Sequence, residues 1–412
     1  MSLNLAELRV ETWLAQFELK DQLTARCLLD NICAVSADDL TSGLRAMIRA
    51  LADARLGPVA LYAERHIRRH RGKPNKLFKE THTKRRRAHG GGPPPVPQGK
   101  PNARETGSEG LIAALITSMV RAHPERFLDH PGPDALRTHK VRTYAVVTDF
   151  IGSGRRACAN LEGAWQIGSF KSWHSLGLIS FAVIAYSGTL AGVSEVERHR
   201  ARPEVRLHRG CPVIDDIAAP DMERVVELCA RYAPRKLPED RTALGYGNGG
   251  TLMVFDHGIP NNAPLLLHTA KPGWVPLFPR RSAAVFDTLQ GSTLRRTEID
   301  RLLRNLQQAQ LACRPRFKDL PEGDQEMMLV LTALKRRQRW PLIVSARTGL
   351  SIVQVESLIE RAQQDGYLDA ACRPTDVAYR TMSYLKNSDM PHAPLPKVPD
   401  TFYCPSSLRP PC

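Results

Sequence analysis

The sequence predicts an α/β protein built on a mostly parallel sheet with helices on both faces, with a helical stretch before it and a second, helical unit after it. Three observations carry this. Continuous apolar, β-branched runs at 144–148 and 178–185 have the composition of strands buried on both faces. Such runs alternate along the chain with helical patterns, the order that builds parallel strands through crossover helices. Beyond the linker at 315–321 the strand signals give way to a succession of helices.

Taken in order, residues 1–57 read as a helical N-terminal subdomain. Trp13, Leu14, Phe17 and Leu19 lead into Leu23, Cys27, Leu28 and Ile32 at three- and four-residue spacing. A second helix opens at Ser36, with Asp38 and Asp39 in its first turn and Leu44, Ile48 and Leu51 as its apolar stripe. Residues 58–63 form the first strand, and Glu64 and Arg65 stand at its end, where sheets of this class bind ligands. Ser108 opens the next helix, with Leu111, Leu115, Ile116 and Met119 inward. Strands over 178–185, 205–214 and 250–257, with helices over 188–200 and 220–232, continue the alternation. A helix at 295–310 completes a domain spanning 58–314.

Charge is distributed unevenly. The formal net charge is +16, yet between Arg65 and Arg104 thirteen Lys and Arg face a single acid, Glu80. The rest of the chain is therefore close to neutral. Within this segment Arg68, Arg69, Arg71 and Lys73 precede the run Lys84, Arg85, Arg86 and Arg87, and triple glycine then triple proline follow. Such runs cannot pack as an element interior, so 66–106 reads as a flexible insertion. Its one-sided sign predicts a polyanionic partner, nucleic acid first, met through these cations. No apolar run is long enough to span a bilayer, and the N-terminus lacks the basic head and apolar core of a secretory signal. Nine scattered cysteines without metal spacing read as reduced thiols of a cytoplasmic protein.

The stretch 143–165 holds the chemistry. A buried strand ends at Thr148 and Asp149, Gly152-Ser153-Gly154 makes a tight turn, and a helix begins at Arg155. That order sets backbone N–H groups and a helix N-terminus beside a carboxylate. The N–H groups suit a phosphate, and the carboxylate suits the hydroxyls or the metal of a neighbouring ribose. A plain strand-to-helix connection uses the same parts. Further on, Asn261, Asn262 and Trp274 follow the strand at 250–257, where they could read a base or a sugar, or serve as turn residues and a core aromatic.

Residues 324–369 form helix, short helix, Gly349 turn, and a third helix with Val355, Leu358 and Ile359 inward, before Gly366-Tyr367-Leu368 starts a strand. This resembles a winged helix-turn-helix, placed at 322–386. Its third helix carries Glu356 and Glu360 with one Arg361, so DNA reading and protein docking both stay open. A proline-rich tail occupies 387–412.

Ala-Glu-Arg at 63–65, Gly-Ser-Glu at 107–109, Thr-Asp-Phe-Ile-Gly-Ser-Gly at 148–154, Ala-Leu-Gly-Tyr-Gly-Asn at 243–248, Pro-Asn-Asn at 260–262 and Pro-Leu-Phe-Pro-Arg at 276–280 precede that winged helix. The whole resembles the phosphoribosyltransferase-like proteins of bacterial conflict systems, in particular the accessory proteins of one retron type. In type I phosphoribosyltransferases two adjacent acids touch the ribose hydroxyls and the following loop cradles the 5′-phosphate. The resemblance implies Thr148 and Asp149 as the catalytic pair and Gly152, Ser153, Gly154 and Arg155 as the phosphate loop. It implies Arg65 as a pyrophosphate contact. Thr148 departs from the pattern, because it brings a hydrogen bond where the family brings a charge. The implied cofactor is Mg2+ carried with a phosphoribosyl diphosphate-like or nucleotide ligand, with no metal held by the protein alone. The implied role is an antiphage effector restrained by a reverse transcriptase and its branched RNA–DNA (msDNA), with homo-oligomerisation open. The alternative is a non-enzymatic regulator that senses a ligand in the same pocket and binds DNA through its wing.

Overall fold

The computed structural model describes residues 5–82, 86–94, 108–281, 295–336 and 338–387, and the chain divides into two units, Met1–Thr293 and Leu294–Cys412. The first unit opens with helices α1 (Leu5–Leu14) and α2 (Leu19–Asp30), strand β1 (Cys33–Val35) and helix α3 (Ala37–Asp53). Ser36 caps α3 by accepting from the Asp39 N–H at 2.9 Å, the role its position predicts. Then come β2 (Val59–Ala63), α4 (Ser108–Ala122), β3 (Phe127–Asp129), α5 (Pro133–Thr138) and β4 (Thr143–Ile151). The chain continues through α6 (Arg155–Trp165), α7 (Gly168–Ser175), β5 (Ser180–Gly188), α8 (Leu190–Glu197), β6 (Glu204–Gly210), α9 (Asp221–Tyr232), β7 (Met253–Phe255) and α10 (Leu265–His268).

Five parallel strands form the sheet in the order β6-β5-β4-β2-β3. The chain winds outward from β2 to β3, returns to lay β4 on the other side of β2, and proceeds to β5 and β6. The direction of winding reverses between β2 and β4, and their carboxyl ends open the crevice where such sheets bind ligands. Side chains of β4 alternate between two cores. Ala145 and Val147 join α3 and α4 on one face, and Tyr144 meets Tyr62, Phe170 and Phe181 on the other.

Several expectations change. Residues 1–57 are not a separate subdomain. Trp13, Phe17 and Leu28 pack with α9 and residues 252–278 in a second core, whereas Leu44, Ile48 and Leu51 of α3 pack on the sheet. The strand expected over 250–257 does not extend the main sheet. Its core, β7, pairs in parallel with β1, a strand hidden in sequence because it is only three residues long and lies between two helices. The insertion at 66–106 is also more ordered than its composition predicts. Arg69–His70 pairs with Lys73–Pro74, and Lys79–Glu80 with Ala88–His89. Phe78 anchors these hairpins by stacking on Phe170 at 5.0 Å, and Leu77 N–H donates to Gly163 O of α6 at 2.9 Å. The apolar pair Leu77-Phe78, set among cations, supplies the buried contact that glycine and proline cannot. Lys84 and Arg85 lie outside the described residues.

The second unit comprises α11 (Arg295–Asn305), α12 (Ala309–Ala312), α13 (Pro315–Lys318), α14 (Glu322–Leu334), α15 (Pro341–Thr348), α16 (Ile352–Gln364) and α17 (Asp376–Lys386). Leu302, Leu303, Leu311 and Phe317 share its core, so residues 295–314 belong here and not to the sheet domain. Gly349 ends α15 in the left-handed conformation, and Ser351 with Gln354 forms a capping box for α16. The wing is reduced to a single bridge between Leu368 and Pro374.

Candidate functional site

The crevice at the reversal between β2 and β4 gathers residues from five segments. Asp149 projects from the end of β4. Its Oδ1 accepts from the Phe150 N–H at 2.8 Å and lies 3.1 Å from Thr148 Oγ1, and its Oδ2 lies 2.8 Å from His257 Nε2. Burial alone would raise this carboxyl. The hydrogen bond and field of the His257 ring, with the hydroxyls of Ser108 and Thr148, hold it below the ordinary carboxylate range.

Glu64, at the end of β2, is the second acid of the site. Its Oε2 lies 3.1 Å from the same Thr148 hydroxyl. Burial pushes Glu64 up to about 8, Asp149 adds to the shift, and Arg156 with its Nε at 3.8 Å opposes it. A neutral Glu64 can donate to Thr148 Oγ1, which in turn donates to Asp149. The hydroxyl at 148 thus bridges a protonated acid and an ionised one. The acid missing beside Asp149 in sequence is supplied from the neighbouring strand.

The phosphate-loop positions stand on the same edge. Gly154 takes φ +72° at the start of α6, and a Cβ there would come within 2.5 Å of Gly192 O on α8. Glycine at 154 is required by backbone conformation and by the fit of α6 against α8. Helix α6 has no side-chain cap, so its first N–H groups, which have no intrahelical partner, face the crevice uncapped. Asn262 walls the loop on one side. It is buried, donates from Nδ2 to Tyr246 O at 3.0 Å, and occupies the space a Cβ on Gly152 would need. Arg155 lies over the Tyr246 ring at 5.4 Å, and the Asn261 carbonyl accepts from the Tyr246 N–H.

The predicted residues therefore divide. Thr148, Asp149, Gly152, Ser153, Gly154, Arg155 and Asn262 converge, with Asn261 one residue behind. The Arg65 backbone is fixed to the site, its N–H on Asn160 Oδ1 at 3.2 Å, while its guanidinium donates to Pro94 O and keeps a buried Nε without a partner. Trp274 is a correction. It is 5% exposed, packs edge-on to Trp13 and Phe17, and donates from Nε1 to Leu266 O, so it belongs to the second core. Glu64, Ser108, Arg156, Tyr246 and His257 were not among the sequence candidates. Glu64 and His257 each follow a predicted strand directly, which is the signal that would have found them.

A metal finds no ready seat. Both Asp149 oxygens are engaged, Glu64 is neutral near pH 7, and among the described residues no group of three or more His, Cys, Asp or Glu is placed to hold an ion. No step is derived through Mg2+.

The sheet, its reversal point and the carboxylate beside an uncapped helix define a phosphoribosyltransferase-like domain joined to a winged helix. The family model described as PRTase-CE matches residues 10–280, and that described as wHTH-PRTase associated matches 328–410. The chain belongs to the PRTase-CE family. No curated protein and no solved structure matches it. Among the described residues no helix is long and apolar enough to cross a membrane.

Proposed function

We propose that the first unit binds a nucleotide or ribose-phosphate, with its phosphate on the α6 N-terminus and loop 152–154 and its ribose hydroxyls on Asp149. The observation that carries this reading is the convergence of an uncapped helix N-terminus, an ionised Asp149 and a neutral Glu64 at the reversal of the sheet. In the wider role, the chain is the effector of a retron antiphage system, restrained by a reverse transcriptase and its msDNA. That role rests on the family resemblance and on the hairpins, whose exposed Arg68, Arg69, Arg71, Lys73, Arg86 and Arg87 suit a polyanion. Arg65, with its unpartnered Nε, is the cation placed to meet a pyrophosphate arriving at β2.

The test uses phage protection, or toxicity on release of the effector, alongside thermal melts with ribose 5-phosphate and nucleoside monophosphates. Asp149→Asn should abolish the cellular phenotype at normal expression and remove the ligand-induced rise in Tm. A second reading, a non-enzymatic sensor, is favoured by Thr148 in place of the first acid. It gains if Asp149→Asn protein still responds in cells while ligand binding at the loop persists.

A further inference from the structure

The second unit has its own division of charge. In a winged helix, α16 is the element that would enter a major groove. Its exposed residues include Gln354, Glu356, Ser357, Glu360 and Gln364, and its one cation, Arg361, is held by Asp324 at 2.8 Å and Asp365 at 3.6 Å. A surface of that sign repels phosphates.

Cations gather instead at the turn from α14 to α15, which reads Lys335-Arg336-Arg337-Gln338-Arg339-Trp340. The turn is closed by Arg339 Nε donating to Leu334 O at 2.9 Å, so Lys335 and Trp340 flank one tight loop. Trp340 is 72% exposed, an unusual setting for an indole. Lys335 Nζ lies 5.3 Å from the ring of Tyr379 on α17, itself 44% exposed. Lys386, two turns further along the same side of α17, is pushed below the ordinary ammonium range by burial and by Lys335. Two cations crowded about one exposed ring, with a second exposed ring nearby, gain from an anion that also offers flat faces. Unpaired bases on a phosphate backbone have that combination, whereas duplex bases keep their faces stacked inside.

We propose that the winged-helix unit binds single-stranded nucleic acid on the surface of Lys335, Trp340, Tyr379 and Lys386, and that α16 is not a duplex reader. The rings stack on bases and the lysines meet phosphates. This goes beyond the ribose-phosphate pocket and does not depend on it.

The experiment uses the full chain with Arg68, Arg69, Arg86 and Arg87 changed to alanine, so that the hairpins do not mask the second unit. Fluorescence anisotropy is measured with labelled oligo-dT, oligo-U and a duplex of the same length. Trp340→Ala and Tyr379→Ala should each weaken single-strand binding on the order of tenfold, the loss of one base–aromatic stack, with unchanged melting. Trp340→Phe should retain most of the affinity, and Glu356→Gln with Gln354→Ala should leave it unaltered. The dT and U arms tell whether DNA or RNA is preferred. Unchanged single-strand affinity in the Lys335→Ala/Trp340→Ala double variant would overturn the proposal and leave the surface to a protein partner. Duplex preference that depends on Gln354 and Glu356 would overturn it in favour of α16.

Discussion

Two neighbouring strand-to-helix junctions on the same sheet edge begin their helices in different ways. After β5, Thr189 caps α8 by accepting from the Gly192 N–H at 2.9 Å, and its hydroxyl also donates to Gly152 O at 2.5 Å. After β4, Gly154 starts α6 with no side chain to cap it. The capped junction satisfies its own N–H groups and holds the neighbouring loop in place. The uncapped one leaves its N–H groups to a ligand. An uncapped N-terminus beside a capped neighbour in the same fold marks the site more sharply than the G-x-G turn does by itself.

The largest effect should come from breaking the fit between the junctions. Gly192→Val would drive a side chain into Gly152 O, the nearest atom to a Cβ at that position. Thermal melts should show a loss of several kcal/mol, enough to prevent folding at about 37 °C. Gly154→Val should behave similarly for the same reason, so it would test packing and not ligand binding. An unchanged Tm in either variant would mean that the loop and α8 do not touch.

Next in size is the pH dependence set by Glu64. Its folded value near 8 exceeds its ordinary 4.5, so the folded state prefers the protonated acid. Stability from this group is complete below about pH 4.5 and is lost as pH rises toward 8, by an amount on the order of a few kcal/mol. Glu64→Gln should flatten the Tm profile across that window and make the variant more stable than the parent at alkaline pH. A profile that the substitution leaves unchanged would show that Glu64 ionises normally.

Thr189→Ala tests the capped side. Removing the cap should cost about 1 kcal/mol in urea unfolding and also weaken phosphate-dependent stabilisation, because the hydroxyl fixes Gly152 O. Smallest in stability is the hairpin surface. Replacing Arg68, Arg69, Arg86 and Arg87 by alanine should leave stability within about 0.5 kcal/mol of the parent, since all four are exposed. The slope of log affinity for nucleic acid against log salt should flatten by roughly 0.7–0.9 for each phosphate no longer neutralised. An unaltered slope would make the hairpins a solubilising feature only.

Much of the fold was legible from local signals. Runs such as 144–148 declare a doubly buried strand because no charged side chain interrupts them, and the Ser36 and Ser351 caps act on residues three positions away. Asp149 and the 152–154 turn were legible for the same reason, because strand, acid, turn and helix are contiguous. Composition misled where a few residues outweighed many. Leu77 and Phe78 order a segment whose charge and glycine content argued for flexibility. Trp274, polar enough at one edge to read a ligand, instead buries its ring and finds Leu266 O.

The sequence by itself determined the parallel sheet, the helix that begins at Arg155, the basic segment and the helical character of the second unit. Each follows from the local spacing of apolar residues, caps and charges. Only the tertiary structure decided that Glu64, eighty-four residues before Thr148, supplies the second acid, and that His257 holds Asp149 from a strand paired outside the main sheet. A carboxylate's protonation depends on the burial and charges around it, and these are set by which strand ends lie side by side. That adjacency comes from the reversal of winding between β2 and β4, which no local stretch of sequence records.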